Sequence, residues 1–183
     1  MSKAIIFFAD GLEECEALIT VDLLRRAGVE VTIASVMGRE EITGAHKIKI
    51  LCDALAESVD FSAADAVILP GGLPGTEYLY ESALVRGAVR SFSDAGKLVA
   101  AICAAPTVPG RMGLLAGKRA TCYPGCEGDL KGADYLDAET VTDGSFITGS
   151  SLGAAIPFAL SIIAYLEGQE AGDRVRGSIV YRH

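Results

Sequence analysis

The chain alternates short, nearly unbroken apolar runs with longer stretches in which apolar positions recur at helical spacing. "KAIIFFA", residues 3–9, has strand length and no polar face, the pattern of a strand buried on both sides. "DGLEECEALITVDLLRRAG", residues 10–28, then reads as a helix. Asp10 suits its cap, with Glu13 three residues on as in a capping box. Arg25 and Arg26 suit the C-terminal dipole, and Gly28 suits the position just past the end. "VEVTIASV" is the next strand, so strand, helix and strand make a βαβ unit and imply a parallel sheet.

Residues 38–60 are more polar, and "EEIT" and "IKIL" around "GAHK" predict a small antiparallel hairpin. "DAVILPGG" reads as a core strand ending in a glycine turn, residues 82–95 as a helix, and "KLVAAIC" as the next core strand. "RAT", "ETVTDG" and "SFITG" follow as short strands. "GAAIPFALSIIAYLEG" is a long helix with Pro157 near its first turn, where proline is tolerated, and a short helix is expected around residues 169–177. The expected fold class is α/β: a three-layer sandwich around a mostly parallel central sheet, whose ligands sit at the carboxyl ends of the strands.

Composition narrows the function classes. A length of 183 residues favours one domain, and half the residues are hydrophobic, enough for a sizeable core. A net charge of −8 argues against nucleic acid as a partner, since that affinity rests on Lys and Arg neutralising phosphates. "AAIPFALSIIAYL" falls short of the roughly 20 apolar residues that span a bilayer, and the N-terminus lacks the pattern of a signal peptide, so no membrane contact and a soluble cytoplasmic protein are expected. The five cysteines, Cys15, Cys52, Cys103, Cys122 and Cys126, are then expected to be reduced thiols.

Three groups of residues carry possible chemistry. Glu16, Gly71–Gly72 and Cys103 each lie just past the carboxyl end of a predicted core strand, so one sheet edge gathers them. In "LVAAICAAPTVPG" the thiol is either an inert core atom or a nucleophile on a tight strand-to-helix turn. On such a turn a helix N-terminus favours the thiolate, and a Gly72 N–H helps hold an oxyanion. An ionised Glu16 would raise the thiol pKa by repulsion, whereas a protonated Glu16 would donate to the sulfur. "GSSLG" fits G-x-S-x-G with Ser151 as nucleophile, but only Asp173 and His183 lie downstream to complete a triad, so it reads better as a turn before a helix. "CYPGC" places Cys122 and Cys126 near one another with too few further ligands for zinc, and His46 and His183 have no metal-binding spacing, so no metal is expected.

The segments "ADGLEECEALITVDLLRRAGVEVTIASV", "DAVILPGGLPGTEYL", "GKLVAAICAAPT" and "GSSLGAAIPFALSIIAYLEG" resemble those of the DJ-1/ThiJ/PfpI superfamily in order and spacing. The tail "AGDRVRGSIVYRH" is similar to the terminal helix of the DJ-1/ThiJ branch. The resemblance covers nearly the whole chain, 1–183, as one ThiJ/PfpI-like domain, and implies a flavodoxin-like fold and a homodimer. It implies that Cys103 is the reactive, oxidation-prone cysteine, that Glu16 is the acid hydrogen-bonded to it, and that N–H groups near Gly72 and Ala104 form the anion site. The activities it implies are cofactor-free conversion of small reactive carbonyls (glyoxalase III) and deglycation. A redox-sensing role in oxidative stress with chaperone-like activity, Cys103 being oxidised to a sulfinate, and a PfpI-type peptidase are its other implications. The partner is then a small carbonyl substrate or an oxidant.

The sequence departs from this pattern in three places. Tyr123, before Pro124, stands where members usually carry a histidine, and a phenol with pKa about 10 is a poor base near neutral pH but a fair hydrogen-bond donor. His46 falls about where an arginine often stands. Pro109–Gly110 should shorten or kink the helix after Cys103.

Overall fold

The computed structural model describes residues 1–182. Its elements begin with strand β1 (Lys3–Phe8), helix α1 (Glu14–Arg26), strand β2 (Glu30–Ser35), the strands β3 (Glu41–Thr43) and β4 (Lys49–Leu51), and the short strand β5 (Ala54–Leu55). Next come β6 (Ala66–Leu69), α2 (Gly75–Glu81), α3 (Ala83–Asp94), β7 (Leu98–Ile102) and α4 (Thr107–Arg111). The chain ends with β8 (Arg119–Ala120), β9 (Asp134–Tyr135), β10 (Thr140–Asp143), β11 (Phe146–Gly149), α5 (Ala155–Glu167) and α6 (Gln169–Ser178). Single 3₁₀ turns occupy Ala56–Ser58, Glu127–Asp129 and Leu152–Ala154.

Seven strands form the main sheet in the order β10-β11-β7-β6-β1-β2-β5. All its pairings are parallel except that of β10 with β11. Alternation along the strands feeds two separate cores. Ile6, Phe8, Ile68, Ala100 and Ile102 pack with Leu24, Phe158, Ile162 and Ile163 on the face covered by α1 and α5. Ile5, Phe7, Val67, Leu69, Val99 and Ala101 pack with Leu79, Val85, Val89 and Phe92 on the face covered by α2 and α3. Both faces being covered, the strands read as continuous apolar runs, and each fully buried large side chain contributes about 1.5–3 kcal/mol. The mostly parallel three-layer arrangement expected from the sequence is what the chain adopts, hairpin included: Ile42 faces Ile50 across antiparallel β3 and β4.

The first helix is shorter than its pattern predicts. It starts at Glu14, and the Glu13 carboxylate, not Asp10, caps it by accepting the Glu16 N–H at 2.6 Å. Asp10 is drawn away, because its carboxylate takes the Thr43 N–H at 2.9 Å and an Arg39 guanidinium N–H at 2.5 Å. The C-terminal reading holds: Ala27 caps the helix and Gly28 follows with φ +88°. The strands β5 and β9 and the helix α2 carry too few residues to leave a periodic signature. Helix α4 is short, with five residues, and Pro109 stands inside its first turn, where the missing N–H costs no intrahelical bond. No helix among the described residues is long and apolar enough to cross a membrane.

Candidate active site

Cys103 leaves the end of β7 with φ +63°, in the left-handed region that residues other than glycine seldom adopt. Backbone hydrogen bonds on both sides impose that conformation. The Cys103 N–H donates to the Gly149 carbonyl at 2.9 Å, its carbonyl accepts the Tyr123 N–H at 2.8 Å, and the Ala105 N–H closes the turn onto Ile102 at 3.0 Å. The backbone N–H groups of Ala104 and Gly72 act on the sulfur and favour its ionised form.

Glu16 reaches the same place from the first turn of α1. Its N–H is held by Glu13, and its carbonyl accepts the Thr20 hydroxyl at 2.7 Å, so its backbone is fixed at both ends. Its carboxyl is 1 % exposed, accepts the Gly71 N–H at 3.0 Å and hydrogen-bonds Cys103. Burial pushes the Glu16 pKa up to about 7, the Glu13 charge pushes the same way, and the bonds to Cys103 and Gly71 pull against them. Burial and an ionised Glu16 push the Cys103 thiol up, and the Ala104 and Gly72 N–H groups pull it down. When a proton sits on Glu16, the repulsion vanishes and the acid can donate to the sulfur beside the Ala104 and Gly72 N–H groups.

Two glycines make the approach possible. A Cβ on Gly71 would lie 2.5 Å from the Cys103 Cβ and 2.6 Å from Glu16 Oε2. Gly72 has φ +92°, and a Cβ there would lie 2.3 Å from the Glu13 nitrogen. Glu16, Gly71–Gly72 and Cys103 thus converge at one sheet edge, with Ala104 next to the thiol.

The helix-dipole argument does not carry over. The helix after Cys103 begins only at Thr107 and has five residues, so individual N–H groups rather than an aligned macrodipole act on the sulfur. Tyr123 touches the site through its backbone, and its side chain is half exposed. His46 is engaged elsewhere: its ring Nδ1 lies 3.0 Å from Glu14 Oε2, and its N–H donates to Glu14 Oε1 at 2.8 Å. Glu14 and His46, with Glu13, bring donor atoms within 4.8 Å of one another, the only group of three or more metal-capable side chains among the described residues. The hydrogen bonds already present account for that group as an anchor of the β3–β4 loop onto α1.

Ser151 sits between β11 and the 3₁₀ turn before α5, and its carbonyl, not its hydroxyl, accepts the Ala154 N–H at 2.9 Å. Asp173 is exposed on α6 and accepts a hydrogen bond from Gln169, and His183 lies outside the described residues. Sequence reasoning missed the Glu13 cap and the Gly149 carbonyl. The glycine at the end of "SFITG" was the available signal, since a Cβ there would strike Ile102 at 2.9 Å.

The chain matches the family model described as "DJ-1/PfpI family" over residues 2–165. It is 43 % identical to protein dj-1beta of Drosophila melanogaster over 173 residues, 93 % of this chain and 92 % of that one. It is 36 % identical to a protein of Pyrococcus abyssi named a deglycase, over 80 % of this chain and 88 % of that one. The fold is similar to that of oxidized DJ-1 from Toxoplasma gondii, with TM-score 0.96, 31 % identity and all of both chains covered. The family match, the shared fold and the strand-end cysteine facing a buried acid agree: the chain belongs to the DJ-1/PfpI family.

Proposed function

We propose that the chain is a cysteine-dependent enzyme acting, without a cofactor, on small reactive carbonyls or their adducts, of glyoxalase III or deglycase type. The observation that carries this reading is the strained Cys103, whose sulfur meets two backbone N–H groups and a buried acid that holds its proton to about pH 7. That is the arrangement of an activated nucleophile, an anion site and a proton carrier. The name of the Pyrococcus relative supports the deglycase side.

On an α-oxoaldehyde the sulfur adds to the aldehyde carbon, and the displaced π pair becomes an oxyanion held by the Gly72 and Ala104 N–H groups. Glu16 delivers its proton to that oxygen, giving a hemithioacetal. As carboxylate, Glu16 then takes the C1 proton, and the electron pair moves onto the C2 oxygen to give an enediolate. Return of that proton to C2, with the C1 hydroxyl proton passing to the C2 oxygen, leaves a thioester, and water cleaves it to the hydroxy acid and the free thiol. Net, one water is consumed and no external oxidant or reductant is needed. Wild type and Cys103→Ala assayed on methylglyoxal and on glycated thiols and amines test this. Turnover is expected only in wild type, and turnover that survives the substitution sinks the reading.

A second reading is redox sensing. Two equivalents of peroxide would each give one oxygen to the thiolate and leave as water, producing a sulfinate that the same N–H groups and a protonated Glu16 would hold. That the similar Toxoplasma DJ-1 structure is of an oxidized protein favours it. Mass spectra after mild peroxide decide: oxidation confined to Cys103 supports it, and oxidation spread evenly over the five thiols opposes it.

The reading also takes the chain as a homodimer in a reducing compartment such as the cytoplasm. All five cysteines are free. Leu18 on α1, Ile48 and Leu51 are exposed apolar side chains, at 39 %, 51 % and 71 %.

A further inference from the structure

We propose that Arg111 is a positioning residue for the thiol site: by tying α4 to α2, it fixes the Ala104 and Gly72 N–H groups against the Cys103 sulfur. The inference rests on the reading of Cys103 as the reactive thiol.

Each sulfur-binding N–H belongs to a peptide segment anchored in the first turn of its own helix. The Thr76 N–H of α2 donates to the Gly72 carbonyl at 2.9 Å. The Thr107 N–H and hydroxyl of α4 donate to the Ala104 carbonyl at 3.1 and 2.7 Å. The spacing of the two donors across the sulfur therefore follows the spacing of α2 and α4. Neither helix is secured by length. They have seven and five residues.

Arg111, the last residue of α4, supplies the tie. Its two terminal nitrogens donate to both oxygens of Glu77 on α2, at 2.9 and 2.5 Å. Its guanidinium carbon lies 4.6 Å from the centroid of the Tyr80 ring, also near the end of α2. Its Nε stands 3.4 Å from Asp129 Oδ2. Gly110 permits that last approach, since a Cβ there would lie 2.4 Å from the Asp129 carbonyl oxygen. The Arg111 side chain is 21 % exposed, so this fork is partly desolvated and stronger than a surface ion pair. Lysine could not reproduce a planar fork that is at once bidentate and stacked.

Charge and position predict opposite signs for one variant. The titratable side chain bonded to the sulfur is Glu16 of α1. Arg111 faces Glu77 and Tyr80 of α2, and Asp129 and Cys126 of the 3₁₀ segment. Removing the Glu77 charge would by long-range attraction lower the Cys103 titration midpoint. Loosening the tie raises it, because the N–H bonds to the thiolate weaken.

The test is iodoacetamide labelling of each cysteine, quantified by mass spectrometry from pH 5 to 10, in wild type, Glu77→Gln, Arg111→Gln and the double variant. Each single variant is expected to raise the Cys103 midpoint by about one unit, a tenfold slower reaction below it. The double variant should shift no further than either single one, since both break one contact. An unchanged or lowered midpoint in Glu77→Gln overturns the proposal. So does a parallel rise in labelling of the buried Cys52 and Cys122, which marks general loosening. Wild type in which Cys103 labels no faster than the other thiols overturns the underlying reading of the site instead.

Discussion

The Glu16 carboxyl and the Cys103 sulfur face one another inside a site where Glu16 is 1 % exposed, so the two groups titrate as a coupled pair. A Glu16→Gln side chain donates to the sulfur but cannot carry a proton. It should leave Cys103 alkylation at pH 7 within about threefold of wild type or faster, and cut methylglyoxal turnover by about 10²-fold or more. Equal losses in alkylation and turnover would mean that Glu16 only shapes the site.

The same carboxyl makes folding stability depend on pH. Its pKa is raised from 4.5 to about 7 in the folded chain. Below the unfolded value it is neutral in both states, and its contribution is fully present. As pH rises through the folded value the unfolded chain has already ionised, and that stability is lost. Wild type should therefore lose stability between pH 4.5 and about 7 relative to Glu16→Gln. Urea midpoints of both proteins at pH 5 and pH 8 check this, and a pH-independent offset contradicts it.

Gly71→Ala should be costly although it adds one methyl group. The new Cβ would meet Cys103 and Glu16 inside 3 Å, and neither can retreat. A loss of about 1–3 kcal/mol is expected, with Cys103 alkylation slowed at least tenfold. Gly87→Ala, where a Cβ meets nothing within 4 Å on the exposed side of α3, is the control and should be neutral or stabilising by up to about 1 kcal/mol. Thermal unfolding and labelling rates separate the two.

Leu51→Glu should turn a dimer into a monomer. Leu51 is 71 % exposed on β4, so the charge harms nothing within the chain. Sedimentation velocity reads the outcome directly, and a wild type that sediments as a monomer removes the homodimer from the proposed function.

The sequence by itself determined the core strands and the sheet edge at which they deliver Glu16, Gly71–Gly72 and Cys103. β1, β6 and β7 are buried on both faces, so nothing polar interrupts their runs, and the residues after them must emerge at one sheet edge. Local chemistry also fixed Gly28 past α1. Only the tertiary structure decided which groups are taken. Asp10 looks like a cap until Arg39 and the Thr43 N–H claim it, and His46 looks unattached until Glu14 holds it. The left-handed turn at Cys103 depends on Gly149 and Tyr123, and the seven-residue α2 on Arg111 reaching back from α4. These contacts join residues distant in sequence, and hydrogen bonding between them leaves no periodic trace along the chain. Burial patterns are written locally, whereas the partners of polar groups are chosen when the layers close.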